Sequence, residues 1–300
     1  ESSSMQPPLG LMYLASVLIE HGFNDVKIID SQADKLSYGE LESRILNESP
    51  DIVGMTAMTF TMTDVMMTAR IIKKVAPEAD IVLGGPHVDI YPLETIQQPD
   101  IDKAIKGEGE YPFLELIRSL SGKRPDGLSN IRNMVWKDDK GQVWENKLTE
   151  NWNDYSLMPF PARHLLSVDK YFSIMTDNNP ITTLITAKGC PYNCVFCYKY
   201  INTVSYRAPT NVVDEMISIR ESGIREIFFV DDTFYVNPKI SMSICSEIIR
   251  REVNIPWGAR ARVNNLSDDM LSIFKKAGCR RLHIGVESGN DRILKNLNKK

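Results

Sequence analysis

Three of the five cysteines stand within eight residues, at positions 190, 194 and 197. They lie in Lys188-Gly-Cys190-Pro-Tyr-Asn-Cys194-Val-Phe-Cys197-Tyr198, directly after an apolar run, Ile181–Thr186, that reads as a strand. Thiols crowded onto one loop do not suit a disulfide scaffold, and in a reducing compartment they more often serve a metal or catalysis. Cys245 and Cys279 are isolated. Three thiolates can each bind one iron of a cubane cluster, leaving the fourth iron open to chelate the amine and carboxylate of a methionine-like ligand. The alternative is structural zinc, which wants four N or S ligands. The nearest further candidates, His164, Cys245, Cys279 and His283, are remote in sequence.

Around this loop the chain alternates short apolar strands with helical patterns, the signature of βαβ units and a parallel sheet. In the first part, Leu9, Met12, Tyr13 and Val17 mark one face of a helix closed by His21-Gly22. A short apolar run at Val26–Ile29, a helix over 40–48, a buried strand at Asp51–Thr56 and a helix stopped by Pro77 follow. Next come the strand Asp80–Leu83 ending in Gly84-Gly85-Pro86-His87, a strand Lys103–Lys106, the turn Gly107-Glu108-Gly109 and a helix to about Leu120. The stretch 121–180 breaks the rhythm. Asn133–Trp136 and Gln142–Glu145 flank a turn that predicts a β-hairpin, and the aromatic-rich Asn151–Pro161 reads as part of an interdomain connection. From 181 onward, strands at Ile181–Thr186, Glu226–Val230, Trp257–Val263 and Arg281–Val286 alternate with helices at Val212–Glu221, Lys239–Arg251, Asp268–Lys276 and Asp291–Leu297. Ser267 is placed to cap the third of these helices. Four βα units without a reversal predict part of a (β/α) barrel. The expected division is therefore 1–120, a connection over 121–180, and 181–300.

The C-x3-C-x2-C spacing, with an aromatic before the last cysteine and a position after the first strand of a βα series, resembles the radical S-adenosylmethionine superfamily over roughly 180–300. The resemblance implies a TIM-type barrel and a reduced 4Fe–4S cluster that passes one electron to the sulfonium of S-adenosylmethionine. That step releases methionine and a 5′-deoxyadenosyl radical that abstracts hydrogen from a small-molecule substrate. The cofactors carry the hard chemistry, and the protein positions and shields them. An electron donor such as flavodoxin or ferredoxin is implied. Polar residues end every later strand: Asp231-Asp232, then Arg260, Arg262 and Asn264-Asn265, then Gly285-Val-Glu287-Ser288-Gly289. Such ends form the active face of barrels. Where the family has Gly-Gly-Glu to meet the ligand's amino group, this chain has Val230-Asp231-Asp232. By resemblance, Asp231 and Asp232 take that place, Glu287 holds ribose hydroxyls, Arg262 meets the ligand carboxylate and Phe196 supports adenine. All of these also fit caps, salt bridges or plain packing, and Arg260 reads as structural.

The first 115 residues resemble the cobalamin-binding domain at the head of one subfamily. The matching pieces are Pro7-Pro-Leu-Gly-Leu-Met-Tyr-Leu-Ala15, Asp51-Ile-Val-Gly-Met-Thr56, Val82-Leu-Gly-Gly-Pro-His87 and Lys106-Gly-Glu-Gly-Glu110. The implied fold is a flavodoxin-like, Rossmann-like sheet with its ligand beyond the carboxyl ends of the strands. The implied cobalamin contacts are Leu9, Thr56, Thr59, Gly84, Gly85, Pro86, His87, Gly107, Glu108 and Gly109. Residues without a Cβ let backbone approach a nucleotide tail closely. The family has another strand before Pro-Pro-Leu-Gly, so a chain shortened at both ends is expected. No Asp-x-His-x-x-Gly motif supplies a histidine to cobalt. His21 reads as a helix cap or surface residue. Met55, Met58, Met62, Met66 and Met67 fit either a corrin face or ordinary core filling.

The implied reaction is methyl transfer to unactivated carbon or phosphorus, with ring formation or rearrangement as the alternative. A methylthiotransferase would need three further N-terminal cysteines, and residues 1–189 contain none. A cobalamin or redox sensor that keeps the cluster as a switch is the non-catalytic alternative. The net charge of −4, with basic residues scattered and adjacent only in occasional pairs, gives no footprint for nucleic acid. No apolar run is long enough to span a bilayer, and the first residues lack the features of a signal peptide. A cytoplasmic location is the expectation.

Overall fold

The computed structural model describes residues 4–122, 127–138, 140–147, 155–199, 203–264 and 266–299. Asn265, Asp139 and residues 151–154 of the aromatic-rich stretch lie outside them. The chain divides into two compact units, Gly10–Asn151 and Glu1–Leu9 with Trp152–Lys300.

The first unit runs α1 (Leu9–Glu20), α2 (Tyr38–Glu48), β1 (Ile52–Thr56), α3 (Met62–Val75), β2 (Asp80–Gly84), the short α4 (Pro86–Ile90) and α5 (Pro92–Ile96), β3 (Lys103–Ile105), α6 (Glu110–Leu120), β4 (Met134–Lys137) and β5 (Val143–Glu145). Local chemistry explains the boundaries. Ser37 and Glu40 form a reciprocal capping box at the start of α2. β1, β2 and β3 are parallel and neighbours in chain order; β4 and β5 then add antiparallel. Thus the predicted hairpin extends this sheet, and residues of the 121–180 stretch divide between the two units. One face of the sheet, with Ile81, Leu83, Ala104 and Val135, packs on Leu41 and Ile45 of α2 and Ala69 and Ile72 of α3.

One expectation is corrected. β1 is half-exposed, because it is an edge strand with Gly54 and Thr56 open to solvent. The apolar run at Val26–Ile29 pairs with no strand among the described residues. The short helices α4 and α5 follow the Gly-Gly turn and were not legible from periodicity, since each holds only five residues.

The second unit contains β6 (Ile181–Leu184), β7 (Ala187–Lys188), β8 (Ser205–Tyr206), α7 (Pro209–Glu221), β9 (Glu226–Phe229), α8 (Pro238–Arg250), β10 (Trp257–Ala261), α9 (Asp268–Lys276), β11 (Cys279–Ile284) and α10 (Asp291–Asn296). The parallel strands lie in the order β6-β9-β10-β11, four βα units in sequence, as an arc of a barrel requires. Pro209 and Pro238 open α7 and α8 where a missing N–H costs nothing. Ser267 caps α9, with Asp268 and Asp269 in its first turn and Lys275 and Lys276 in its last, matching the helix dipole. Phe229, Phe234, Trp257 and Phe274 stack in the core between strands and helices. Met5 pairs with Phe172 and ties the N-terminal residues to this unit. Among the described residues no helix is long and apolar enough to cross a membrane.

Candidate functional site

The cysteine loop leaves β6 and is closed at its base by β7 pairing antiparallel with β8. Gly189, immediately before Cys190, has φ +93°, a left-handed conformation that glycine tolerates without strain. Within the loop the Cys197 N–H donates to the Cys194 carbonyl at 3.1 Å. The Lys199 ammonium gathers three acceptors from the same loop: the Cys190 carbonyl at 3.1 Å, the Tyr192 carbonyl and Asn193 Oδ1 at 2.7 Å. All five cysteines are free thiols; Cys190 and Cys194 are half-buried and Cys197 is exposed. Among the described residues, no three ligating side chains converge on a point that would hold one metal ion. Three thiols on one loop are compatible with a cubane, whose thiolates bind separate irons.

The loop's neighbours come from the carboxyl ends of β9, β10 and β11. Asp231 follows β9 and is 3% exposed. Its Oδ1 accepts from the Thr186 N–H at 2.7 Å and the Ala187 N–H at 3.2 Å, and Oδ2 accepts from the Thr186 hydroxyl. The carboxylate therefore ties β9 to the stem of the cysteine loop, and no oxygen points outward. Burial raises its pKa from 3.8 to about 6, against the lowering effect of those hydrogen bonds. Because the folded form holds this proton more tightly than the unfolded chain, the group adds stability as pH falls through 6 toward 4. Asp231→Asn should flatten the stability–pH slope in that window. Asp231→Ala should destabilise the unit, since the Thr186 and Ala187 N–H groups lose their acceptor at about 1–3 kcal/mol each. Denaturant titrations at several pH values check both outcomes.

Asp232 is exposed and close enough to Cys190 that its charge pushes the thiol's pKa up; burial is the larger raising cause, and a hydrogen bond from the Tyr192 backbone opposes both. Arg262, just past β10, is 7% exposed. Its Nη1 donates to Cys194 Sγ at 3.7 Å, and its guanidinium lies over the Tyr192 ring at 3.7 Å from the centroid. Arg260 is exposed and donates to the Val230 carbonyl at 3.4 Å. Glu287, with φ +58°, pairs with Lys299 at 2.6 Å. Phe196 is 53% exposed, and the Lys299 ammonium stands 6.0 Å from its centroid. So Asp231, Asp232, Arg262 and Phe196 lie on or beside the cysteine loop or its stem, and Glu287 is linked to Phe196 only through Lys299.

A buried ion cluster supports that stem. Glu215 of α7 is fully buried; its Oε2 lies 2.5 Å from Arg207 Nη1 and its Oε1 lies 2.7 Å from Arg163 Nη2. Arg207 also donates to the Ile185 carbonyl at 2.8 Å, and Arg163 to the Thr183 carbonyl at 2.8 Å. Both arginines therefore grip the end of β6.

In the first unit, register places Thr56 opposite Gly84, and Leu83 opposite Ala104. The segments after β1, β2 and β3 thus leave one carboxyl edge of the sheet. Gly85 has φ +95°, and a Cβ there would sit 2.6 Å from Thr56 Oγ1 and 2.9 Å from the Ala57 carbonyl. Only glycine lets these two turns meet. The Ala57 carbonyl accepts from the His87 N–H, and buried His87 Nδ1 lies 3.2 Å from Thr59 Oγ1. Asp89 accepts from the Gly107 N–H at 2.6 Å, joining the second turn to the third. The loop after β1 presents Met58 and Phe60, the latter 85% exposed, as an apolar ledge. Backbone turns with close approach beside an exposed apolar ledge fit a corrinoid with its nucleotide tail. Leu9, the first residue of α1, stands at the boundary between the two units.

Residues 2–117 match the B12 binding domain model and residues 184–300 match the Radical SAM superfamily model. The chain joins a B12 binding domain to a Radical SAM domain. It is 36% identical over 298 residues to a protein of Pyrococcus horikoshii described as the uncharacterized methyltransferase PH0819, covering 98% of this chain and 63% of that protein. It is 29% identical to the anaerobic magnesium-protoporphyrin IX monomethyl ester cyclase of Rubrivivax gelatinosus, covering 98% of this chain and 54% of that one. The radical S-adenosylmethionine methyltransferase TsrM from Kitasatospora setae, solved with cobalamin and a 4Fe–4S cluster, superposes with a TM-score of 0.81 at 18% identity, over 98% of this chain and 61% of its own. At that identity the likeness speaks for the fold. The chain thus spans less than two thirds of these relatives.

Sequence reasoning missed Lys199, Tyr192, Thr186 and the Arg163–Glu215–Arg207 cluster. A lysine two residues past the last cysteine was a usable signal for Lys199. No local pattern announces Glu215, which lies on a helix and meets its partners only in three dimensions.

Proposed function

We propose that this radical S-adenosylmethionine protein holds a 4Fe–4S cluster on Cys190, Cys194 and Cys197, binds S-adenosylmethionine beside it, and acts as a cobalamin-dependent methyltransferase on an unactivated centre of a small molecule. The observation that carries this reading is the convergence of Asp232 and Arg262 on a three-cysteine loop, in a chain that also has a B12-binding domain. When bound, the cluster would supply one electron to cleave the sulfonium ligand, and cobalamin would carry the methyl group.

The chain's own residues have distinct tasks. Lys199 keeps the loop folded around its three thiols. Asp231 fixes the stem through Thr186 and Ala187, so its part in ligand binding is indirect, through placement of the neighbouring backbone. Asp232, whose exposed carboxylate acts electrostatically on Cys190, is the proposed partner of the ligand's amino group. Glu287 is the proposed partner of the ribose hydroxyls and Phe196 of the adenine. In the first domain, Thr56, Thr59, Gly84, Gly85, Pro86, His87, Gly107, Glu108 and Gly109 form the proposed cobalamin edge, with Leu9 as an outlying contact. Domain limits of 1–120 and 181–300, with a connection between, remain part of this proposal, as does a one-electron donor such as flavodoxin or ferredoxin.

The likeness to an anaerobic cyclase favours a second reading, ring formation on the same machinery. One experiment separates them. Protein purified anaerobically with cobalamin is expected to show corrin absorbance, and with dithionite to yield 5′-deoxyadenosine together with S-adenosylhomocysteine. Deoxyadenosine without any S-adenosylhomocysteine would favour the cyclase reading, and neither product would sink both.

A further inference from the structure

We propose that Arg262 sets the reduction potential of the cluster by donating to the Cys194 sulfur, an inference that rests on the cluster assignment above. Arg262 is almost wholly buried, yet its charge points at the loop and not at solvent. One edge of the guanidinium reaches Cys194 Sγ at 3.7 Å, and its face rests on the Tyr192 ring at 3.7 Å. Both contacts are made to the cysteine loop itself, so the side chain has a fixed address there. Charge and hydrogen bonds to cluster sulfurs are the protein's means of moving an iron–sulfur potential. The one-electron reduction of the cluster, with dithionite as donor, adds one negative charge and no proton. A buried cation donating to a ligating sulfur favours the reduced state and raises the potential.

Arg260 supplies the comparison. It stands two residues earlier on β10, carries the same charge, and donates to the Val230 carbonyl at 3.4 Å. If contact with the sulfur matters, removing the two charges should have unequal effects.

The test is an EPR-monitored redox titration of reconstituted full-length protein without S-adenosylmethionine, comparing wild type with Arg262→Gln, Arg262→Lys and Arg260→Gln. Iron content should match wild type in all three. At the wild-type midpoint, Arg262→Gln should show a reduced-to-oxidised ratio about tenfold lower, a downward shift of about 59 mV for one electron. Arg262→Lys should restore most of the shift, and Arg260→Gln should move it far less. An unchanged potential in Arg262→Gln overturns the proposal, including the case in which only S-adenosylmethionine affinity falls, which would assign Arg262 to the ligand carboxylate. An equal shift in Arg260→Gln also overturns it, by showing a general charge effect. Iron loss in both Arg262 variants would assign the residue to folding alone and overturn it too. Wild-type protein that takes up no iron would instead defeat the cluster assignment itself.

Discussion

Cys194→Ala should leave the reconstituted protein with less than about one iron per chain, where the wild type takes up about four. Three thiolates are the only ligands this loop offers the cluster, and two cannot retain it against a chelator. The variant should still fold. Lys199, Gly189 and the β7–β8 ladder hold the loop without contacting the Cys194 side chain, so circular dichroism and thermal unfolding should stay close to wild type. Dithionite-dependent 5′-deoxyadenosine should fall to background. Cys245→Ala is the matched control, because Cys245 is wholly buried in α8 and burial raises its thiol pKa to about 12. It should leave iron content unchanged. Retention of iron and of radical formation after loss of Cys194 would show that the loop is not the cluster site.

Glu215→Ala should cost the second unit about 3–5 kcal/mol. The carboxylate is fully buried between Arg163 and Arg207, and Arg207 is itself 2% exposed. Removing it leaves two cations facing each other in a low-dielectric interior without their shared counter-charge. Glu215→Gln keeps shape and one acceptor, so its loss should be smaller. Hydrogen exchange read by mass spectrometry checks this locally: amides of α7 and of residues 181–188 should exchange faster in Glu215→Ala, while those of the first unit should not change. Iron uptake should fall as well, because both arginines hold carbonyls at the end of β6. Protection factors equal to wild type along α7 would mean that the ion cluster adds little to the unit.

Much of the architecture was legible because it follows from short-range chemistry. The predicted span of α9 matches residue for residue, since Ser267, Asp268 and the paired lysines mark both of its ends. The four parallel strands of the second unit were found within a few residues, because each is an apolar run between turn signals. The strand at 52–56 was legible as a strand but not as an edge, since strand order in a sheet is a non-local property. The site divides the same way. Three cysteines on one loop announce their chemistry by spacing alone. The roles of Asp231 and Arg262 depend on rotamers and burial. Sequence places both at strand ends, and only the structure adds that Asp231 accepts from the Thr186 and Ala187 amides and that Arg262 rests against Cys194 and Tyr192.

The two-residue ladder of β7 and β8 has a consequence for the life of the protein in air. It stitches together the ends of the segment carrying the three cysteines, so the entropy of closing that loop is settled by the backbone before any iron arrives. In small zinc domains, by contrast, metal binding and folding are a single event. Here oxidative loss of the cofactor should be a local injury. Protein bleached by oxygen should keep its cooperative melting transition and regain full iron content on anaerobic repair, without passing through an unfolded state.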